Sequence, residues 1–295
     1  MSFAFQFVDV FTKTALAGNQ LAVLTDARGL SAERMQAIAR AFNFAETSFV
    51  LPPADPANTA HVRIFTPAEE MPFAGHPNVG TGFVLGQMGT LFDRPLSDAM
   101  LFEQQAGLVQ VGIERRDGIV TGALVKAPRA LSIGADVDAG VVAELAGLAA
   151  SDVVLTRFAP CFASVGAEFM LAEVVPDALD RARPDAAAFE RHEGRIGQSA
   201  GLMGLHLHCQ DAAAPKSLDV RMFAPLSGVV EDAATGSAAA ALGAFLHRLD
   251  PARTHFEVRQ GRHIGRPSFI AVSAGPDGVT IGGDCANFAE GRLWA

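Results

Sequence analysis

The chain has no long apolar run, no basic cluster and few cysteines, and each shortage removes a class of function. No stretch of its 295 residues approaches the roughly 18 consecutive apolar residues of a membrane-spanning helix. Met1 to Val10 also lacks the basic start and extended apolar stretch of a secretion signal, so a soluble, cytoplasmic protein with no membrane partner is expected. Lysine and arginine total 23 against 32 aspartate and glutamate, a net charge of −9, and that balance argues against nucleic acid and anionic lipid as partners. A small anionic substrate needs local donors to overcome such a field. Cys161, Cys209 and Cys285 are odd in number, widely spaced and without CxxC pairing, which suggests neither a disulfide framework nor a zinc knuckle. Gly166, Gly194 and Gly201 form no GxGxxG or Walker pattern, so no nucleotide loop is read.

What is present is an internal duplication. Val62-Arg63-Ile64-Phe65-Thr66-Pro67 returns as Val220-Arg221-Met222-Phe223-Ala224-Pro225. Each copy runs into a polar, glycine-containing turn and a helix of small residues: Phe73-Ala74-Gly75-His76-Pro77 in the first, Glu231-Asp232-Ala233-Ala234-Thr235-Gly236-Ser237 in the second. Arg63 lies eleven residues before Ala74 and Arg221 twelve before Ala233. A helix start behind a glycine presents unpaired backbone N–H groups at the positive end of the helix dipole. Two such starts converging would bind an anion from both sides. With 49% hydrophobic and 19% charged residues, the length suits roughly two globular domains, agreeing with the duplication.

Periodicity places strands at Phe3 to Phe11 and Leu21 to Leu24 and a helix starting at Ser31 with Met35, Ile38, Ala39 and Phe42 on one stripe. Strands follow at Thr47 to Leu51 and His61 to Phe65, then a helix from Pro77 to Met88 buried on all sides, with proline at its first position. Asp117-Gly118 joins a hairpin of Leu108 to Ile113 with Ile119 to Val125. Pro128 to Asp138 reads as a linker, giving domains 1–127 and 128–295, with the tail 284–295 a candidate to return to the first. The second half repeats the plan: a helix around 139–149, strands near Val153 to Phe158 and Phe169 to Val174, and a helix around 185–200. Strands near Leu205 to Cys209 and Leu218 to Phe223 and a buried helix from Gly236 to Leu249 complete it.

Four groups carry candidate chemistry. Glu46, flanked by apolar residues, is either a carboxylate with raised pKa able to shuttle a proton or a partly exposed loop residue. His76 is either a neutral substrate-orienting imidazole at a helix start or a capping residue bonded to backbone. Asp232 and Ser237 flank the matching turn and read equally as N-caps. His206 and His208 share a strand face, but without a third ligand a satisfied strand face outweighs a metal site, and none is expected.

Taken in order, the motifs resemble the PhzF family, the phenazine-biosynthesis isomerase-like proteins of the diaminopimelate epimerase fold. The resemblance rests on Phe7-Val8-Asp9-Val10-Phe11-Thr12, Gly18-Asn19, Glu46-Thr47, Arg63-Ile64-Phe65-Thr66-Pro67 and Gly75-His76-Pro77. It continues through Asp232-x-Ala234-Thr235-Gly236-Ser237 and Gln260-Gly261 with Gly265-Arg266-Pro267-Ser268, so it covers almost the whole chain. It implies an α+β fold of two similar domains, each a rolled, mostly antiparallel, barrel-like sheet around a central helix. The active site is then expected in the cleft between domains, and a homodimer is implied. The implied activity is a cofactor-free isomerisation of a small anionic carboxylate, cyclic or unsaturated, with Glu46 moving a proton between carbons. His76, Asp232 and Ser237 would orient the substrate, with Asn19, Gly75, Thr235 and Gly236 as further substrate contacts. The related epimerases and proline racemases carry paired cysteines where this chain has Ala74 and Ala233, which disfavours two-cysteine racemisation. A racemase using Glu46 with Asp232 or His76, and a non-catalytic anion-binding protein, remain the competing readings. Three departures stand out: Ala45 where the family has serine, Ala233 where it has proline, and Gln20 rather than proline after Asn19. Loss of the hydroxyl at Ala45 implies a substrate different from trans-2,3-dihydro-3-hydroxyanthranilate.

Overall fold

Strands outnumber helices in the chain, and two largely buried helices give them something to wrap around. The computed structural model describes residues 2–194, 204–210, 214 and 216–295. Contacts divide the chain into two compact units, Met1–Pro128 with Thr280–Ala295, and Arg129–Val279.

In chain order the first unit runs β1 (Ser2–Val10), β2 (Asn19–Leu24), α1 (Ala32–Phe42), β3 (Glu46–Leu51), β4 (Ala60–Phe65) and the two-residue β5 (Glu70–Met71). Helix α2 (Gly75–Met88) follows, then β6 (Thr90–Leu91), β7 (Arg94–Pro95), β8 (Ala99–Gln104), β9 (Gly107–Arg116) and β10 (Ile119–Lys126). The second unit opens with β11 (Ser132–Asp136), α3 (Ala139–Ala146), β12 (Cys161–Ser164), β13 (Glu168–Glu173), α4 (Pro176–Arg181) and α5 (Ala186–His192). It continues with β14 (Leu205–Gln210), β15 (Ser217–Ala224), β16 (Val229–Asp232), α6 (Gly236–Leu249), β17 (His255–Gln260) and β18 (Ser268–Gly275). The last strand, β19 (Gly278–Trp294), belongs to the first unit from Thr280 onward.

Eight strands of the first unit close into a ring in the order β1, β2, β3, β4, β8, β9, β10, β19 and back to β1. The pairs β2 with β3 and β4 with β8 are parallel and the others antiparallel. Helix α2 fills the barrel, and every residue from Gly75 to Gly86 is buried. Its glycines let the strands come close: a Cβ on Gly80 would lie 2.6 Å from Leu21 Cδ2 and 2.8 Å from Val10 Cγ2. Outside the barrel, α1 lays Met35, Ile38 and Ala39 on Phe3, Leu24, Phe49 and Phe65. Each of these side chains except that of Ala39 contributes about 1.5–3 kcal/mol.

In the second unit β11, β12 and β13 are antiparallel, β13 pairs β14 in parallel, β14 pairs β15 antiparallel, β15 pairs β17 in parallel, and β17 returns antiparallel to β18. One face of this sheet packs on α6 through β12, β13, β17 and β18. The other buries Leu205, Leu207 and Met170 against Val142 and Leu145 of α3, Leu179 of α4 and Phe189 of α5. The fold is thus α+β, each unit a mostly antiparallel sheet around a central helix, as expected. No helix among the described residues is long and apolar enough to cross a membrane.

Local differences from the sequence reading have physical causes. Helix α2 starts at Gly75 and leaves Pro77 at the third position, because Gly75 and His76 already hold helical backbone. The stretch read as a linker carries β11, whose residues are all exposed and so show no apolar alternation. No strand forms over Val153 to Phe158: Val153 makes a single bridge to Val174, and the Phe158 ring turns onto His208 and Phe245. The helix expected around 185–200 spans Ala186–His192, preceded by the unforeseen α4, and 195–200 lie outside the described residues.

The duplicated arginines make matching contacts in the two units. Arg63 on β4 donates from Nε and Nη2 to both oxygens of Glu70, each at 2.6 Å, and lies 5.1 Å over the Phe65 ring. Arg221 on β15 grips Glu231 in the same fork, at 2.9 and 2.6 Å, and lies 4.9 Å over Phe223. Its Nη1 adds bonds to the carbonyls of Leu179 and Ala182. A planar guanidinium matches a carboxylate in two bonds and stacks on a ring at once, which lysine cannot do. In each unit the fork pins the strap, β5 or β16, that leads into the central helix.

Candidate active site

The first helix start gathers four of the expected residues. Gly75 and His76 are the first two residues of α2, and its N-cap, Ala74, offers no side chain to the leading N–H groups. His76 is therefore not a capping residue. Its Nε2 lies 3.5 Å from Oε2 of Glu46, the first residue of β3. The parallel register sets Leu21 beside Glu46, and the backbone of the neighbouring Gln20 hydrogen-bonds His76, which brings Asn19 at the head of β2 to the same end of the barrel.

His76 is 5% exposed and Glu46 18%. Burial pushes the His76 pKa from 6.5 down to about 3, only partly opposed by the Gln20 hydrogen bond. At neutral pH the imidazole is uncharged, so its approach to Glu46 is a contact with a neutral polar ring and not an ion pair. A carboxylate that keeps access to solvent beside a neutral, fixed imidazole can take up and return a proton while the ring orients a bound group.

The second helix start lies in the other unit. Gly236 and Ser237 are the first two residues of α6, whose N-cap Thr235 makes no side-chain cap bond. The Thr235 hydroxyl instead donates to Asp232 Oδ2 at 2.6 Å, so Asp232 is not an N-cap either. The orphan N–H groups of Gly236 and Ser237 suit a carboxylate or other small anion.

Sequence reasoning passed over the residues that hold these turns: Glu70, Glu231, Asn78, Gln104 and, beyond its place in a motif, Gln260. The readable signal for the two glutamates was the repeated arginine, which demands a partner when buried. His206 and His208 are fully buried on the face of β14 opposite Leu205, Leu207 and Cys209, and His208 stacks on Phe158. Burial pushes both pKa values down to about 3. Among the described residues no group of three or more His, Cys, Asp or Glu is placed to hold a metal. A cavity of about 690 Å³, lined in part by Arg157, Lys216, Leu249 and Arg253, sits at the C-terminal end of α6, a helix length from Gly236. Its cations stand where the negative end of the helix dipole favours them.

Comparison with known proteins bears on the family and the fold. The family description "Phenazine biosynthesis-like protein" (PhzC-PhzF) matches residues 8–291. The chain is 36% identical over 296 residues to a trans-2,3-dihydro-3-hydroxyanthranilate isomerase of Pseudomonas aeruginosa, covering 97% of this chain and 98% of that one. Among solved structures, a predicted epimerase from Pseudomonas aeruginosa superposes with a TM-score of 0.81 at 31% identity, covering 99% of each chain. A hydroxyproline epimerase from Agrobacterium vitis shares the fold alone, with a TM-score of 0.65 at 14% identity over 99% of this chain and 92% of that one. The chain belongs to the PhzF family, the phenazine biosynthesis-like isomerases.

Proposed function

We propose that the protein moves a proton between two carbons of a small carboxylated, cyclic or unsaturated substrate, with Glu46 as both base and acid. The observation that carries this reading is the Glu46 carboxylate at the head of β3, 3.5 Å from the buried imidazole of His76. A proton shift is redox-neutral, and a single carboxylate that stays beside the substrate can remove the proton and return it elsewhere on the same face. His76, held neutral with its one N–H given to the Gln20 backbone, orients the substrate by accepting a hydrogen bond at Nε2. Backbone N–H groups at Gly75 suit a carboxylate oxygen of the substrate, with Asn19 as a further polar contact; for Asp232, Thr235, Gly236 and Ser237 a substrate contact is proposed on the family resemblance alone. A homodimer in the cytoplasm completes the reading, supported by the family resemblance and by the absence of a long apolar run.

A two-base racemisation through Glu46 and His76 is less well supported. A ring with a pKa near 3 is a weak base, and it stands next to Glu46 rather than apart from it. Ala45, in place of the usual serine, points to a substrate other than trans-2,3-dihydro-3-hydroxyanthranilate itself. The test is proton NMR in deuterated buffer on a panel of small cyclic and unsaturated carboxylates that includes this compound. Deuterium entering a carbon other than the one that lost hydrogen is the expected result; loss of configuration at one carbon, with no double-bond shift, would favour the racemase.

A further inference from the structure

Behind each helix start stands the last residue of a strand, and in both units that residue is a glutamine. Gln260 ends β17, which runs parallel to the Arg221 strand β15; Gln104 ends β8, which runs parallel to the Arg63 strand β4. In the second unit the Gln260 amide is 2% exposed and uses every donor it has. Its Nε2 donates to the Asp232 carbonyl at 2.9 Å and to Thr235 Oγ1 at 3.0 Å, while its Oε1 accepts from the Thr235 N–H at 3.1 Å. In the first unit Gln104 Nε2 donates to Asn78 Oδ1 at 2.6 Å, and Asn78 Nδ2 donates back to Gln104 Oε1 at 3.2 Å and to the Ala74 carbonyl at 2.9 Å.

The second clamp has a direction. A hydroxyl carries one proton, and because Gln260 donates into Thr235 Oγ1, that proton is sent to Asp232 Oδ2 at 2.6 Å. A hydrogen bond to an ionised carboxylate is roughly twice as strong as one between neutral groups, so the chain from amide to hydroxyl to carboxylate fixes where Asp232 points. Gly261 seals the arrangement: it sits at φ +79, and a Cβ there would lie 2.5 Å from the Ala233 carbonyl oxygen, so the strand end is pressed against the turn.

We propose that Gln260 is a positioning residue, which sets the proton direction of Thr235 and so aims the Asp232 carboxylate, and that Gln104 holds the first helix start in the same manner through Asn78. The catalytic consequence rests on reading Asp232 as a substrate-orienting group; the clamp itself does not.

Two variants of the full chain separate the possibilities. Gln260→Met removes all three bonds at nearly constant length. Gln260→Glu is isosteric and keeps the acceptor for the Thr235 N–H, but it has no N–H to give and draws the Thr235 proton away from Asp232. Amide hydrogen exchange should quicken at least about tenfold across 232–237 in Gln260→Met, while the Thr235 amide stays protected in Gln260→Glu. With trans-2,3-dihydro-3-hydroxyanthranilate as probe, followed by solvent deuterium entry, kcat should fall about 10- to 100-fold in both variants while KM moves less than about threefold. A purely structural glutamine would leave Gln260→Glu at the wild-type kcat, and that result overturns the proposal. Unchanged exchange in Gln260→Met also overturns it. A wild type that puts no Glu46-dependent deuterium into this probe fits the different substrate that Ala45 implies, and the exchange data then decide the clamp by themselves: protection across 232–237 unchanged in Gln260→Met overturns it.

Discussion

Three buried histidines weaken the fold as the pH falls. Burial pushes the pKa values of His76, His206 and His208 from 6.5 down to about 3. Unfolded, each imidazole binds a proton below about pH 6.5; folded, it binds none until about pH 3. The unfolded state therefore holds more protons across that window, so this stability is complete above pH 6.5 and drains away as pH falls, with a slope approaching about 1.4 kcal/mol per unit for each histidine. Urea midpoints at pH 7, 6 and 5 should fall steadily, and His206→Leu should flatten the decline by one histidine's share. Among the described residues neither ring nitrogen of His206 has a hydrogen-bond partner, so the same substitution should cost little or nothing at pH 7. Equal slopes in the two proteins would contradict this. The neutral His76 also makes a kinetic prediction: a limb near pH 6.5 in the pH profile of kcat, if present, should survive His76→Asn, and its disappearance would show that His76 titrates during turnover.

The arginine forks act at the scale of elements, and their burial decides their worth. Arg221 and Glu231 are 3% and 7% exposed, so Arg221→Met strands a buried carboxylate and should cost about 3–5 kcal/mol in urea unfolding. Arg63 and Glu70 are 21% and 20% exposed, and water reaches that pair, so Arg63→Met should cost distinctly less. Equal losses would contradict the argument from burial. The central helices predict a second contrast. Gly80→Val would force a branched side chain into Leu21 and Val10, with a cost of about 1–3 kcal/mol or more, despite removing a glycine from a helix. These elements were legible wherever pattern and chemistry are local. The Ser31 cap accepts from Arg34, Asn43 ends α1 in the left-handed region, and the apolar run from Gly236 is the helix α6. Elements held by distant partners were not legible: β11 is exposed along its whole length, and the Phe158 stretch is taken out of the ladder by ring contacts made from another part of the chain.

At the scale of the molecule, closure of the first barrel depends on the far end of the chain. β19 fills the gap between β1 and β10, with Val10 opposite Cys285 and Gly122 opposite Asp284. Removing residues 280–295 should therefore open two strand edges and expose α2, seen as loss of hydrogen-exchange protection in β1 and β10; retained protection would show that the ring closes without its last strand. Periodicity cannot see such a closure, since it relates strands more than 150 residues apart, whereas the duplication announced a central helix in each half. The same contrast holds for the site. His76, Asp232 and Thr235 stood out because they lie at the starts of the two repeated helices, and Glu46 by its apolar flanks and the family resemblance, while Gln104 and Gln260 are ordinary strand-end residues until their amides are seen to hold those helix starts. The measurement that tests the account most directly is solvent deuterium entry into a small cyclic or unsaturated carboxylate, with wild type and Glu46→Gln compared in deuterated buffer by proton NMR. The account predicts deuterium at a new carbon in the wild type and a rate lower by about 10²- to 10⁴-fold in Glu46→Gln, with the fold intact. Deuterium entry at an equal rate in both proteins would contradict it.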